Sequence, residues 1–105
     1  MSDNDAVLQK LIEALGSNNP RIFESAVELL CDLGPGIVPD LLDALSDCDR
    51  AVTIGILAVL AELGPDAGDA IPAVAPLTRS PDEEIAEAAR VALARMRGRS
   101  TGIAA

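Results

Sequence analysis

Carboxylates and thiols are the side chains of this sequence that could do chemistry. Acidic groups stand together at Asp47/Asp49 and at Asp82/Glu83/Glu84, and the thiols are Cys31 and Cys48. Close carboxylates suit general acid–base catalysis or a hard cation. Both clusters, however, open helical patterns, where unpaired N–H groups and the helix dipole already favour negative charge. Capping therefore accounts for them without a metal. Cys31 and Cys48 lack the spacing of a CxxC redox or zinc site. They read as small buried hydrophobes in a reduced, cytoplasmic setting. The chain has no histidine, which removes the commonest general base and metal ligand and any Ser-His-Asp or Cys-His arrangement. Gly34-Pro35-Gly36 lacks the Lys-Ser/Thr and the preceding strand of a phosphate loop. No catalytic residue, metal or cofactor is expected.

Charge restricts the partners. The 105 residues carry a net charge of −9. Up to residue 75, thirteen Asp and Glu face only Lys10, Arg21 and Arg50; beyond it, five Arg face four acids. Nucleic acids and anionic membranes need clustered Lys and Arg, so neither is an expected partner. The Arg-rich end suits a helix C-terminus. Met1-Ser2-Asp3-Asn4-Asp5 is polar and acidic, unlike a targeting signal. The longest uncharged apolar stretch, Ala51 to Ala61, is too short to span a bilayer.

The elements that would position any site repeat. Leu33-Gly34-Pro35 recurs as Leu63-Gly64-Pro65, 30 residues on, and Pro39 recurs as Pro72, 33 residues on. The three extra residues match an insertion, Asp66-Ala67-Gly68. Ile22, Ala26, Leu30 and Leu33 map to Val52, Ile56, Leu60 and Leu63, and the first three of these map on to Ile85, Ala89 and Leu93. A fixed period of this size marks a stacked array whose units cannot bury their apolar faces alone.

Six helices in three pairs follow from periodicity and punctuation. The first runs from about Asp5 to Leu15 and ends at Gly16. Asn18 or Asn19 caps the second, with Pro20 in its first turn and Ile22, Ala26, Leu29, Leu30 and Leu33 as its inward stripe. Gly34-Pro35 stops it. The third runs from Gly36 or Ile37 to Leu45. Asp47 caps the fourth, which reaches Leu63. The fifth begins near Asp69 and is kinked by Pro76. The sixth has Ser80 as cap, Pro81 at its first position and Glu83 closing a capping box, and it runs to about Arg97. The repeats span about 5–33, 36–63 and 69–97, with 98–105 as a tail, in one domain covering 1–105.

The run Leu42-x-x-Leu45-x-Asp47-x-Asp49-x-x-Val52, then Ile56, Leu60 and Leu63-Gly64, resembles a HEAT repeat, in which an outer helix, an aspartate turn and an inner helix ending in Leu-Gly follow one another. Asn19-Pro20-Arg21-Ile22 and Ser80-Pro81-Asp82 occupy the same turn in the flanking repeats. The short spacing is similar to the HEAT-like repeats of phycobilisome-lyase-type bacterial proteins. The resemblance implies an all-α, right-handed α-solenoid of three stacked antiparallel helix pairs. The family commonly has an arginine just after the residue that opens the inner helix; this chain has Phe23, Thr53 and Ala86 there. The usual Asp–Arg ladder between repeats is therefore expected to be absent.

In such arrays the inner helices line a concave surface. The fourth helix is apolar all round, with Ile54, Leu57, Ala58 and Ala61 opposite its core side. The equivalent positions carry Glu24, Val27 and Glu28 in the second helix and Arg90 and Val91 in the sixth. An apolar centre with a charged rim is how protein-recognition surfaces are built. Val27, Ile54, Leu57, Ala61 and Val91, with Glu24, Glu28 and Arg90, are therefore the expected partner-binding residues. The expected function is a non-catalytic scaffolding or protein-interaction module. Its partner would be another protein, or a basic or amphipathic segment, with self-association through the end repeats. Alternatives are an accessory subunit resembling bilin-lyase HEAT-like proteins, and a HEAT-like nucleic-acid-binding protein, which the acidic charge disfavours.

Overall fold

The computed structural model describes residues 3–45 and 50–98, with backbone only for 3–5. Every regular element among them is helical: α1 (Asp3–Ala14), α2 (Pro20–Asp32), α3 (Val38–Leu45), α4 (Arg50–Leu63), the single-turn α5 (Ile71–Val74) and α6 (Glu83–Met96). Three 3-10 segments join them, at Pro35–Ile37, Gly64–Ala70 and Ala75–Arg79. The expected Asp47 cap, Asp49, Cys48 and residues 99–105 of the tail lie outside the described residues.

Local chemistry sets the helix ends. The Asn19 side chain accepts from the Arg21 N–H, and Pro20 follows at the first helical position, where a missing N–H costs little. Gly34 and Gly64 leave α2 and α4 with φ of 87° and 62°, a conformation that side-chain-bearing residues resist.

Two expected boundaries are corrected. Ser80 does not cap α6; Asp82 does, accepting from the N–H groups of Glu84 and Ile85 at 3.0 and 3.4 Å. Pro81 holds the preceding Ser80 extended, so the helix starts after the proline, and Ser80 instead accepts from the Asp82 N–H. No capping box forms, because Glu83 is already the first helical residue. The fifth helix is not one kinked α-helix either. Asp69 lies in a 3-10 segment, and α5 lasts one turn before Pro76 enters a second one. Pro72 and Pro76 stand four apart, so the bond from Pro76 to the Pro72 carbonyl cannot form.

The core centres on α4, which contacts α1, α2, α3 and α6. Ile56, Leu57, Val59 and Leu60 are fully buried there, against Leu15, Leu30, Leu41, Val74 and Ala89 from the other elements. Gly55 lets α1 approach, since a Cβ at this position would stand 2.6 Å from the Leu15 Cβ. The expected inward stripe of α2 is only partly inward: Ala26 and Leu30 are buried, whereas Ile22, Leu29 and Leu33 are exposed.

The run Arg50–Arg79 is long and apolar enough by composition to cross a membrane. It is not one straight helix. Its α-helical part α4 has 14 residues, about 21 Å against a hydrocarbon core of about 30 Å. The chain then turns at Gly64 and packs back against α4.

Candidate functional site

Helix α4 meets α2 on one side and α6 on the other, and a groove runs along each seam. The α2/α4 groove encloses about 480 Å³. Its apolar lining comes from Phe23, Val27, Cys31 and Ala58, and its carboxylates are Glu24, Glu28, Asp32 and Glu62. Among the described residues, no Lys or Arg lines it. The α4/α6 groove is smaller, about 300 Å³, with Ile54, Leu57, Ala58, Ala61, Ala88 and Val91 beside Glu62 and Arg95. Ala58 and Glu62 line both, so the grooves adjoin across one ridge of α4.

Helical spacing builds the acidic edge. Glu24, Glu28 and Asp32 follow at intervals of four, so they share one face of α2. Ala58 and Glu62 have the same relation on α4. All four carboxylates belong to residues outside the core, so they remain in water, where a partner can neutralise them at little desolvation cost.

Cys31 ties the two helices. Its thiol donates to the Val59 carbonyl at 3.9 Å. Burial pushes the thiol's pKa upward, and the nearby Glu62 and Asp32 charges push it further. The nucleophilic thiolate is therefore disfavoured. Among the described residues, no group of three His, Cys, Asp or Glu side chains converges to hold a metal.

The expected site residues divide between these features. Glu24, Val27 and Glu28 line the first groove; Ile54, Leu57, Ala61 and Val91 line the second. Two placements need correction. Leu57 has no exposed surface, so it is core at the groove floor and not a residue that a partner can grasp. Arg90 is exposed and lines neither groove. Both stand at the position that Val27 holds in α2, by steps of 30 and 33 residues. At that position α4 is covered by a neighbouring helix.

Comparison with family models, curated proteins and solved structures finds no match.

Sequence reasoning missed Glu62 and Asp32 in the grooves, although their spacing from Ala58 and Glu28 was the available signal. It also missed Arg50. The Arg50 guanidinium bridges to Asp82 and Glu84, linking the start of α4 to the start of α6. The pair is distinct from the ladder expected to be absent, because Arg50 precedes Val52 and Thr53 holds the position after it. A cation at the first position of a helix opposes the dipole, and that misfit was the clue to a non-local partner.

Proposed function

We propose that this chain is a non-catalytic protein-recognition module, a HEAT-like solenoid of three helix pairs whose inner helices α2, α4 and α6 present the two adjoining grooves to a basic amphipathic segment. The observation that carries the reading is the α2/α4 groove: an apolar floor edged by Glu24, Glu28, Asp32 and Glu62, with no cation among the described residues that line it. The repeat register and the contacts of α4 with both α2 and α6 support the stacked arrangement. An apolar strip desolvates readily, and the carboxylates select partner charge and speed encounter. Helices fixed by a shared core lose little freedom on binding.

The test is fluorescence anisotropy with an amphipathic helical peptide carrying Leu on one face and Lys on the other, and with a Leu/Glu counterpart. The Lys peptide should bind and weaken with salt, and the Glu peptide should not. Glu28→Lys with Glu62→Lys should reverse the preference. Equal binding of both peptides, or of neither, would sink the proposal.

A further inference from the structure

The two ends of the molecule differ in a way the grooves do not explain. Leu29, Val59 and Ala92 occupy one register position in α2, α4 and α6. Val59 and Ala92 are 0% exposed, whereas Leu29 is 50% exposed. The side that α4 turns toward α1 and α2, with Gly55 on Leu15 and Val59 at Cys31, is covered. The matching side of α2 is bare. Ile22 and Leu33 are exposed on that side, and Val7 lies on the neighbouring stripe of α1 with Leu11 and Ala14. Leu11, Ala14, Ile22, Ser25 and Leu29 line a groove of about 250 Å³ between the two helices. A polar outer face normally ends a repeat stack, and here the face is apolar.

The other end carries charge at two of its three matching positions. Glu87, Arg90 and Ala94 hold the positions at which α4 has Ile54, Leu57 and Ala61 against α6, and all three are exposed. Head-to-tail stacking of two chains would therefore set an apolar face on charges. A basic segment of the kind proposed for the acidic grooves fits poorly too, because Arg21 lines this face and Lys10 flanks its α1 stripe. The face that matches it is itself.

We propose that the outer face of α1 and α2 pairs with the same face of a second copy of this chain about a two-fold axis, α2 lying antiparallel to its mate. The inference rests on the repeat register used above and shares with the groove reading only Asp32 and Glu28, which edge the α2/α4 groove. Charge placement fixes the direction. Arg21 and Asp32 are exposed, eleven residues apart, and so lie about three turns apart on one side of α2. Antiparallel pairing sets each Arg21 opposite an Asp32 of the second copy, and Ser25 opposite the exposed Glu28, on either side of the crossing. Parallel pairing would set like charges together. A two-fold contact is closed, so it ends at the dimer. The face is about 20 Å long and two helices wide, a small interface, so the dimer is expected to be weak and reversible.

Sedimentation of the full chain over a dilution series tests this. The expected result is a concentration-dependent shift between 10.8 kDa and twice that mass. Leu29→Glu should remain monomeric at every concentration with an unchanged helical circular dichroism spectrum, since Leu29 lies outside the core. Arg21→Asp should weaken the dimer about tenfold, and Arg21→Asp with Asp32→Arg should restore it. A wild-type chain that stays monomeric at high micromolar concentration overturns the proposal, as do larger polymers or a dimer that Leu29→Glu leaves intact. A double variant no tighter than the single one overturns the antiparallel pairing.

Discussion

Arg50 and Asp82 join the beginnings of two helices: the guanidinium donates to one Asp82 oxygen while the other oxygen caps α6. One carboxylate thus does two jobs. Its pKa is held below the ordinary 3.8 first by the Arg50 hydrogen bond; desolvation opposes this, and the Ile85 N–H, the Arg50 charge and the Glu84 N–H lower it further. A depressed carboxylate stabilises the fold fully above its unfolded pKa and loses that contribution as pH falls through the folded value. Below about pH 5 the melting temperature of the wild type should therefore fall more steeply than that of Asp82→Asn, which keeps a cap acceptor but does not titrate in this range. Thermal melts of both across the acid range check this. Parallel curves would remove the pair from the account of stability. Salt should narrow the difference, because the pair is exposed.

Gly55 should not tolerate even alanine. Alanine gains about 1 kcal/mol of helix propensity over glycine. Its methyl, however, would stand 2.6 Å from the Leu15 Cβ, which is fixed to the backbone and cannot swing aside. Overpacking of this kind costs about 1–3 kcal/mol, so Gly55→Ala should be destabilised by about 1 kcal/mol net. Gly68→Ala, where a Cβ meets nothing within 4 Å, should be close to neutral. Urea unfolding of the two variants makes the comparison.

Leu57 and Val91 border the same groove but should respond very differently to truncation. Leu57 is fully buried, so Leu57→Ala leaves a cavity and should cost about 2–5 kcal/mol. Val91 is 45% exposed, and Val91→Ala should cost less than about 1 kcal/mol. Similar losses for both would mean that α4 and α6 pack otherwise than described.

Cys31 should be a slow nucleophile. Burial, then Glu62 and Asp32, raise its pKa, so little thiolate exists near neutral pH. In a Cys48→Ser background, iodoacetamide should label native protein far more slowly than a small free thiol, and the rate should still be climbing with pH past the ordinary pKa of 9.0, where a free thiol's rate levels off. Replacing Glu62 and Asp32 by Gln and Asn should speed the reaction. Labelling at the free-thiol rate in the native state would contradict the burial.

Much of the fold was legible because its signals act over neighbouring residues. Asn19-Pro20 starts α2, and Gly34-Pro35 stops it, through hydrogen bonds and backbone angles within one turn. The same local logic misplaced the α6 cap, because Ser80 and Asp82 are both good caps and Pro81 decides between them. Of the candidate surface, Glu24, Val27 and Glu28 were legible from their spacing. Arg50 was not, since Asp82 lies 32 residues away.

The sequence alone determined an acidic, aliphatic, all-helical chain with a 30- to 33-residue register, because periodicity, capping and composition are properties of nearby residues. It could not say which member of a repeated position is covered. Val27, Leu57 and Arg90 are one position by register, yet half-buried, buried and exposed in turn. Only the tertiary structure decided that, because a helix side is buried when another helix lies against it, and its neighbours are set by packing across the whole molecule.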